Sequence, residues 1–203
     1  MLQKTDPPSA GQSARPRATP SERRPETTRL FPTKNDLPEA TRARVSGLLN
    51  QRLADCIDLQ SQSKQAHWNV KGSNFIALHK LFDDINADVA EYVDLLAERV
   101  VQLGGVAEGT VRSVAERTTL AEYPSFLASG EAHVDALSSA LARFGAGTRK
   151  AIDQVDELHD DDSADILTEI SRGVDKWLWF VEAHLQGEST PRGETAPMSR
   201  RSS

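Results

Sequence analysis

The chain has 203 residues, 38% apolar and only 5% aromatic, with a net charge of −6 at neutral pH. That length suits one domain with tails, the low aromatic content leans toward helices rather than sheet, and the lack of a long apolar run excludes a membrane-spanning helix. A single cysteine, Cys56, excludes an intramolecular disulfide and fits a reducing compartment, so a cytoplasmic protein without an apolar leader is expected.

Residues 1–35 are rich in Pro, Ser, Thr and Arg and carry +4, from Lys4, Arg15, Arg17, Arg23, Arg24, Arg29 and Lys34 against Asp6, Glu22 and Glu26. Too few apolar residues are present to offset the entropy of ordering, which predicts a disordered basic arm. Such an arm suits non-specific DNA, because each phosphate it neutralises releases counterions. Lys4, Arg15, Arg17, Arg23, Arg24 and Arg29 are the candidate contacts, and DNA binding would place the protein at the nucleoid. A solubilising tail or an Arg- and Ser-rich targeting segment is the alternative, and Glu22 and Glu26 dilute both charge readings.

The body is expected over residues 36–186, with Asn35 or Asp36 capping a first helix whose opening turn holds Pro38 and Glu39. Val45, Leu48, Leu49, Leu53, Cys56, Ile57 and Leu59 recur at spacings of three and four, marking one buried stripe on which Cys56 is a small core residue. His67 shares that inward face. Val70 to Asn74 is a short break containing Gly72, and a second long helix runs to about Leu103 with Phe75, Leu78, Phe82, Ile85, Val89, Val93, Leu96 and Val100 on its core side. Residues 104–130 are a mixed crossover, long enough to span the bundle and to carry a small helix. A third helix is predicted from about Glu131 to Leu158, weakened in the middle by Gly145 and Gly147. His159 to Ser163 is a second tight turn, and a last helix holds Ile166, Leu167, Ile170, Val174, Trp177, Leu178, Val181 and Leu185. Residues 187–203 form a flexible tail of charge +1, which leaves −11 for the body. Short, long and short connections define an all-α, ferritin-like four-helix bundle with one long crossover.

Two polar pairs on the second helix stand out. His79 with Asp83, and Asp94 with Glu98, each lie four residues apart on one face. From His79 to Asp94 is about 22 Å along a helix, beyond the reach of a shared metal. The two pairs are nevertheless symmetric about the point between Asp88 and Val89. A two-fold axis there would set His79 opposite Glu98, and Asp83 opposite Asp94, of a second copy, building two identical sites. Imidazole and carboxylate without thiolate suit Fe(II), Mn(II) or Zn(II), with the mixture favouring redox-capable iron. The Glu-x-x-His motifs of a bundle-core di-iron site are absent, and packing histidines beside a charged face remain the alternative.

The run His67-Trp68-Asn69-Val70-Lys71-Gly72, with Phe75, Leu78-His79, Phe82-Asp83 and Asp94-Leu95-Leu96-Ala97-Glu98-Arg99, resembles the Dps family, the mini-ferritins that protect DNA in starved bacteria. The segments Asp160 to Leu167 and Asp175 to Phe180 resemble its closing helix, so the resemblance covers about residues 36–186. It implies a hollow homo-oligomer of about twelve subunits that oxidises Fe(II) to Fe(III), with hydrogen peroxide or oxygen as oxidant, and stores the ferric mineral. It further implies that His67, Asp83 and Glu98 are direct iron ligands, and that His79 and Asp94 hold a second iron directly or through water. Trp68 has two readings, packing and a radical trap. Asp160, Asp161, Asp162 and Asp165 also have two, helix capping and the lining of a cation-attracting pore. The competing function is a nucleoid-compacting DNA binder acting through the basic arms, and a structural bundle without metal is the third.

Overall fold

The computed structural model describes residues 30–127 and 129–186, and among them every regular element is a helix. These are α1 (Glu39–Asn69), α2 (Phe75–Gln102), α3 (Val111–Arg117), α4 (Gly130–Asp156) and α5 (Asp161–Gln186). Four long helices form the bundle and α3 rides on the crossover, which is the ferritin-like architecture expected from the connection lengths. No described helix is long and apolar enough to cross a membrane.

Neither Asn35 nor Asp36 caps the first helix, whose N-cap is Pro38 with no side-chain cap. The Asn35 side chain accepts the Leu37 N–H at 3.0 Å, forming a turn, and α1 itself starts only at Glu39, after Pro38. Residues 30–35, given to the arm on composition, follow the end of α2: the Phe31 N–H donates to the Gly104 carbonyl at 2.7 Å. Gly104 sits at φ +85°, and a Cβ there would come within 2.5 Å of the Phe31 carbonyl oxygen, so this close approach requires glycine. Arg42 seals the same corner, donating from Nε to the Leu37 carbonyl at 3.1 Å and from a terminal nitrogen to the Leu103 carbonyl at 2.9 Å.

The core follows the predicted stripes, except that Phe75, expected on the core side of α2, is 38% exposed. Val45, Leu49, Leu53, Cys56 and Leu59 of α1 meet Leu78, Phe82, Ile85, Val89, Leu96 and Val100 of α2, with Val134, Leu137, Leu141, Phe144 and Val155 of α4 and Leu167, Ile170, Val174 and Val181 of α5. Cys56 is fully buried, its thiol pushed up by loss of solvent, and it packs as a small core residue. α4 is unbroken through Gly147, whose missing side chain leaves room for the Arg52 guanidinium: a Cβ there would overlap it.

α1 buries polar residues as well, because the crossover lies along its outer side. Asn50, Gln51, Asp55, Asp58 and Gln62 bond in turn to Val106, Arg117, Thr119, Thr118 and Ala121, so the crossover climbs in the direction of α1. Asp55, with no exposed surface, is at the centre of this seam. It pairs with Arg52 at 2.8 Å and accepts the Thr119 N–H at 2.6 Å and hydroxyl at 3.2 Å. The climb brings α4 back to the α1–α2 turn, where Gly130 lies against Leu78 and Lys71.

Candidate metal centre

His67 lies in the last turn of α1 and His79 in the second turn of α2, so the short reversal through Gly72 sets them face to face. Their rings stack with centroids 3.7 Å apart and planes 22° from parallel. His67 Nδ1 is 2.7 Å from the His79 carbonyl, and His79 Nδ1 is 2.8 Å from the His67 carbonyl. A carbonyl only accepts, so each Nδ1 carries the proton and each Nε2 keeps its lone pair, the form in which imidazole binds a metal. Reciprocal bonds of this kind also fix the ring orientation, as backbone acceptors do behind metal-bound histidines.

Asp83 joins this pair. Its Oδ1 is 3.9 Å from His67 Nδ1 and is hydrogen-bonded by the Lys64 ammonium. That bond, with smaller contributions from His67 and His79, holds the Asp83 carboxyl below the usual carboxylate range. Lys64 was not singled out in the sequence, although it stands three residues before His67 and therefore on the same face.

Asp94 and Glu98 occupy the other end of α2. Both are exposed, and neither makes a hydrogen bond or ion pair among the described residues. No three His, Cys, Asp or Glu side chains among the described residues gather at a point that could hold a metal ion. One subunit thus presents two unlike fragments: two imidazoles with a lysine-paired carboxylate at one end, and two unpaired carboxylates at the other. Between and beyond them the outward stripe of α2 reads Ile76, Lys80, Asp84, Ala87, Glu91, Asp94, Glu98 and Val101, all exposed.

Trp68 is 66% exposed, so within the subunit it does not take the packing role considered for it. Its neighbour in sequence helps explain why: His67 points inward on α1, and the next residue is rotated about 100° away. Of the acidic cluster, Asp160 is only 2% exposed and its carboxylate is used up in the fold. It accepts from the Ser163 N–H at 3.2 Å and hydroxyl at 2.6 Å, capping α5, and pairs with Arg99 at 2.6 Å. Capping therefore accounts for Asp160, which is withdrawn from the pore set, while Asp161, Asp162 and Asp165 are exposed. The candidate DNA contacts Lys4, Arg15, Arg17, Arg23, Arg24 and Arg29 lie outside the described residues.

A family model described as a ferritin-like domain matches residues 47–189. The DNA protection during starvation protein of Agrobacterium fabrum is 47% identical over 157 residues, covering 77% of this chain and 97% of that protein. Among solved structures, DpsC from Streptomyces coelicolor superposes with a TM-score of 0.74 at 34% identity, covering 78% of this chain and 92% of that one. Dps from Microbacterium arborescens, in a high iron form, gives 0.68 at 38% identity over 75% of this chain and 97% of that one.

Proposed function

The chain belongs to the Dps family of ferritin-like proteins, and from that premise we propose that it oxidises Fe(II), with hydrogen peroxide as oxidant, and stores the ferric product in a shell of about twelve subunits, protecting DNA from oxidative damage. The observation that carries this reading is the pair of unlike half-sites on α2. Two-fold pairing about the point between Asp88 and Val89 brings His67, His79 and Asp83 of one copy against Asp94 and Glu98 of another, completing a nitrogen and oxygen donor set suited to iron. The same operation opposes Ile76, 61% exposed, to Val101, 59% exposed, covering an apolar residue at each end of the stripe.

In this site His67, Asp83 and Glu98 bind one Fe(II), while His79 and Asp94 hold a second directly or through water. Each Fe(II) gives one electron to peroxide, the O–O bond breaks, and both oxygens leave at the hydroxide level, so no hydroxyl radical is released. Trp68, exposed and next in sequence to His67, takes the role of radical trap in this reading. Asp161, Asp162 and Asp165 are the acids left to draw Fe(II) through a pore.

The direct test measures mass, iron and DNA damage together. Twelve copies of a 22.2 kDa chain give about 270 kDa in solution. Fe(II) and peroxide added to that species should give rapid growth of ferric absorbance, and a plasmid in the same mixture should stay supercoiled. A monomer that leaves the plasmid nicked as fast as buffer would sink the proposal. Direct DNA compaction by the basic arm is the second reading, favoured by the +4 charge of residues 1–35.

Lys64 makes a separate prediction. A cation already bonded to Asp83 competes with the incoming metal, so Lys64→Met is expected to tighten anaerobic Fe(II) binding, by up to about five-fold for a partly exposed pair. Weaker binding in this variant would mean that Lys64 assists the site rather than competing with it.

A further inference from the structure

Glu98 has no partner among the described residues, so its position there depends on the backbone that carries it. That backbone is the last stretch of α2, ending at Gln102, where carbonyls lose their helical partners and the chain frays unless it is tied down. Arg42 and Phe31 hold the corner beyond it, and the tie nearest to Glu98 is the next residue. Arg99 is 5% exposed, and its guanidinium is spent on α5: Nε donates to Ser163 Oγ at 2.9 Å, and one terminal nitrogen pairs with Asp160 at 2.6 Å. The other terminal nitrogen donates to Gln102 at 3.3 Å and stands 3.6 Å from exposed Asp162.

Two consequences follow from this fork. A planar guanidinium with every nitrogen engaged fixes the rotation of the helix turn it belongs to, which a single ammonium does not. The engagement is also inward, so the cation nearest to Glu98 in sequence is held away from it. The opposite half-site differs in this respect, since Lys64 lies directly on Asp83.

We propose that Arg99 is a positioning residue for the carboxylate half of the iron site, locking the end of α2 onto the start of α5 so that Glu98 and Asp94 stay unpaired and correctly aimed for Fe(II). This rests on the Fe(II)-oxidising reading above. It also gives buried Asp160 and Ser163 a function beyond capping, as the anchor against which Arg99 pulls.

The test uses full-length Arg99→Lys and Ser163→Ala proteins, in anaerobic Fe(II) titrations and in initial rates with peroxide. Arg99→Lys keeps the charge and removes the fork. It is expected to raise the Fe(II) concentration for half-maximal rate about ten-fold, the scale of one charged hydrogen bond. The saturated rate should remain within about two-fold, since the ligands themselves are intact. Ser163→Ala, which removes one of the fork's acceptors, should shift it in the same direction by about three-fold. An Arg99→Lys protein with a lower melting temperature but unchanged Fe(II) dependence overturns the proposal, leaving Arg99 a purely structural residue. Should Arg99→Lys not assemble, Ser163→Ala decides by the same readout. Wild-type protein that neither binds nor oxidises Fe(II) overturns both this role and the reading it rests on.

Discussion

Replacing Asp94 and Glu98 together by alanine is expected to abolish the fast phase of Fe(II) oxidation, a loss of at least about a hundred-fold. Altering only the groups behind metal ligands already costs some ten- to a hundred-fold, and here a whole half-site is removed. The substitutions should cost little stability, because both side chains are exposed and neither has a partner among the described residues. Stopped-flow absorbance after mixing with Fe(II) and peroxide gives the rate, and a melting curve confirms that the fold is intact. A fast phase of wild-type amplitude in this variant would remove α2's carboxylates from the site.

A large effect of the opposite kind is expected at Asp55. Asp55→Ala leaves the Arg52 guanidinium buried without its counter-ion and takes the acceptor from the Thr119 N–H, both inside the seam between α1 and the crossover. Breaking a buried pair by removing one partner costs about 3–5 kcal/mol. For a chain of this size the melting temperature should fall by roughly 6–20 °C. Asp55→Asn, which keeps an acceptor for Thr119, should fall less. If circular dichroism shows an unchanged midpoint in Asp55→Ala, the crossover is held by its other contacts and Asp55 contributes nothing measurable.

Asp55 also shows where reading the sequence stopped. Periodicity finds the apolar stripe of a helix, and on α2, α4 and α5 that stripe is nearly the whole account of burial. α1 is covered on two sides, by the bundle and by the crossover, and its second covered side is polar. Asn50, Arg52, Asp55 and Gln62 therefore look like solvent-facing residues in the sequence and are buried in the structure. The partners of Asn50, Asp55 and Gln62 lie 56 to 64 residues away, on the crossover, while Arg52 pairs with Asp55 on α1 itself. No local spacing reports a pairing of that range.

At the proposed metal half-sites the outcome divides along the same line. That the pairs on α2 are too far apart to share an ion follows from the helix rise alone. What the spacing does not carry is which groups already have partners. Lys64 on Asp83 and Arg99 on Asp160 are both found only when neighbouring helices are put in place. Asp160 is the sharper case: four acids around one turn look interchangeable in sequence, yet one of them is buried against Arg99 while the other three face out.

The outward stripe of α2 is a rod with unlike poles. Lys80, Asp84 and the imidazoles lie toward its start, while Glu91, Asp94 and Glu98 lie toward its end. Two such rods laid side by side in the same direction would press Asp94 and Glu98 against their own copies, a like-charge clash. Reversed, each acidic end meets the other rod's imidazole end, where Lys80 offsets Asp84 and Lys64 pairs with Asp83. In the proposed assembly this polarity acts as a direction code: it disfavours the docking in which no site would form and admits the one in which two would form at once.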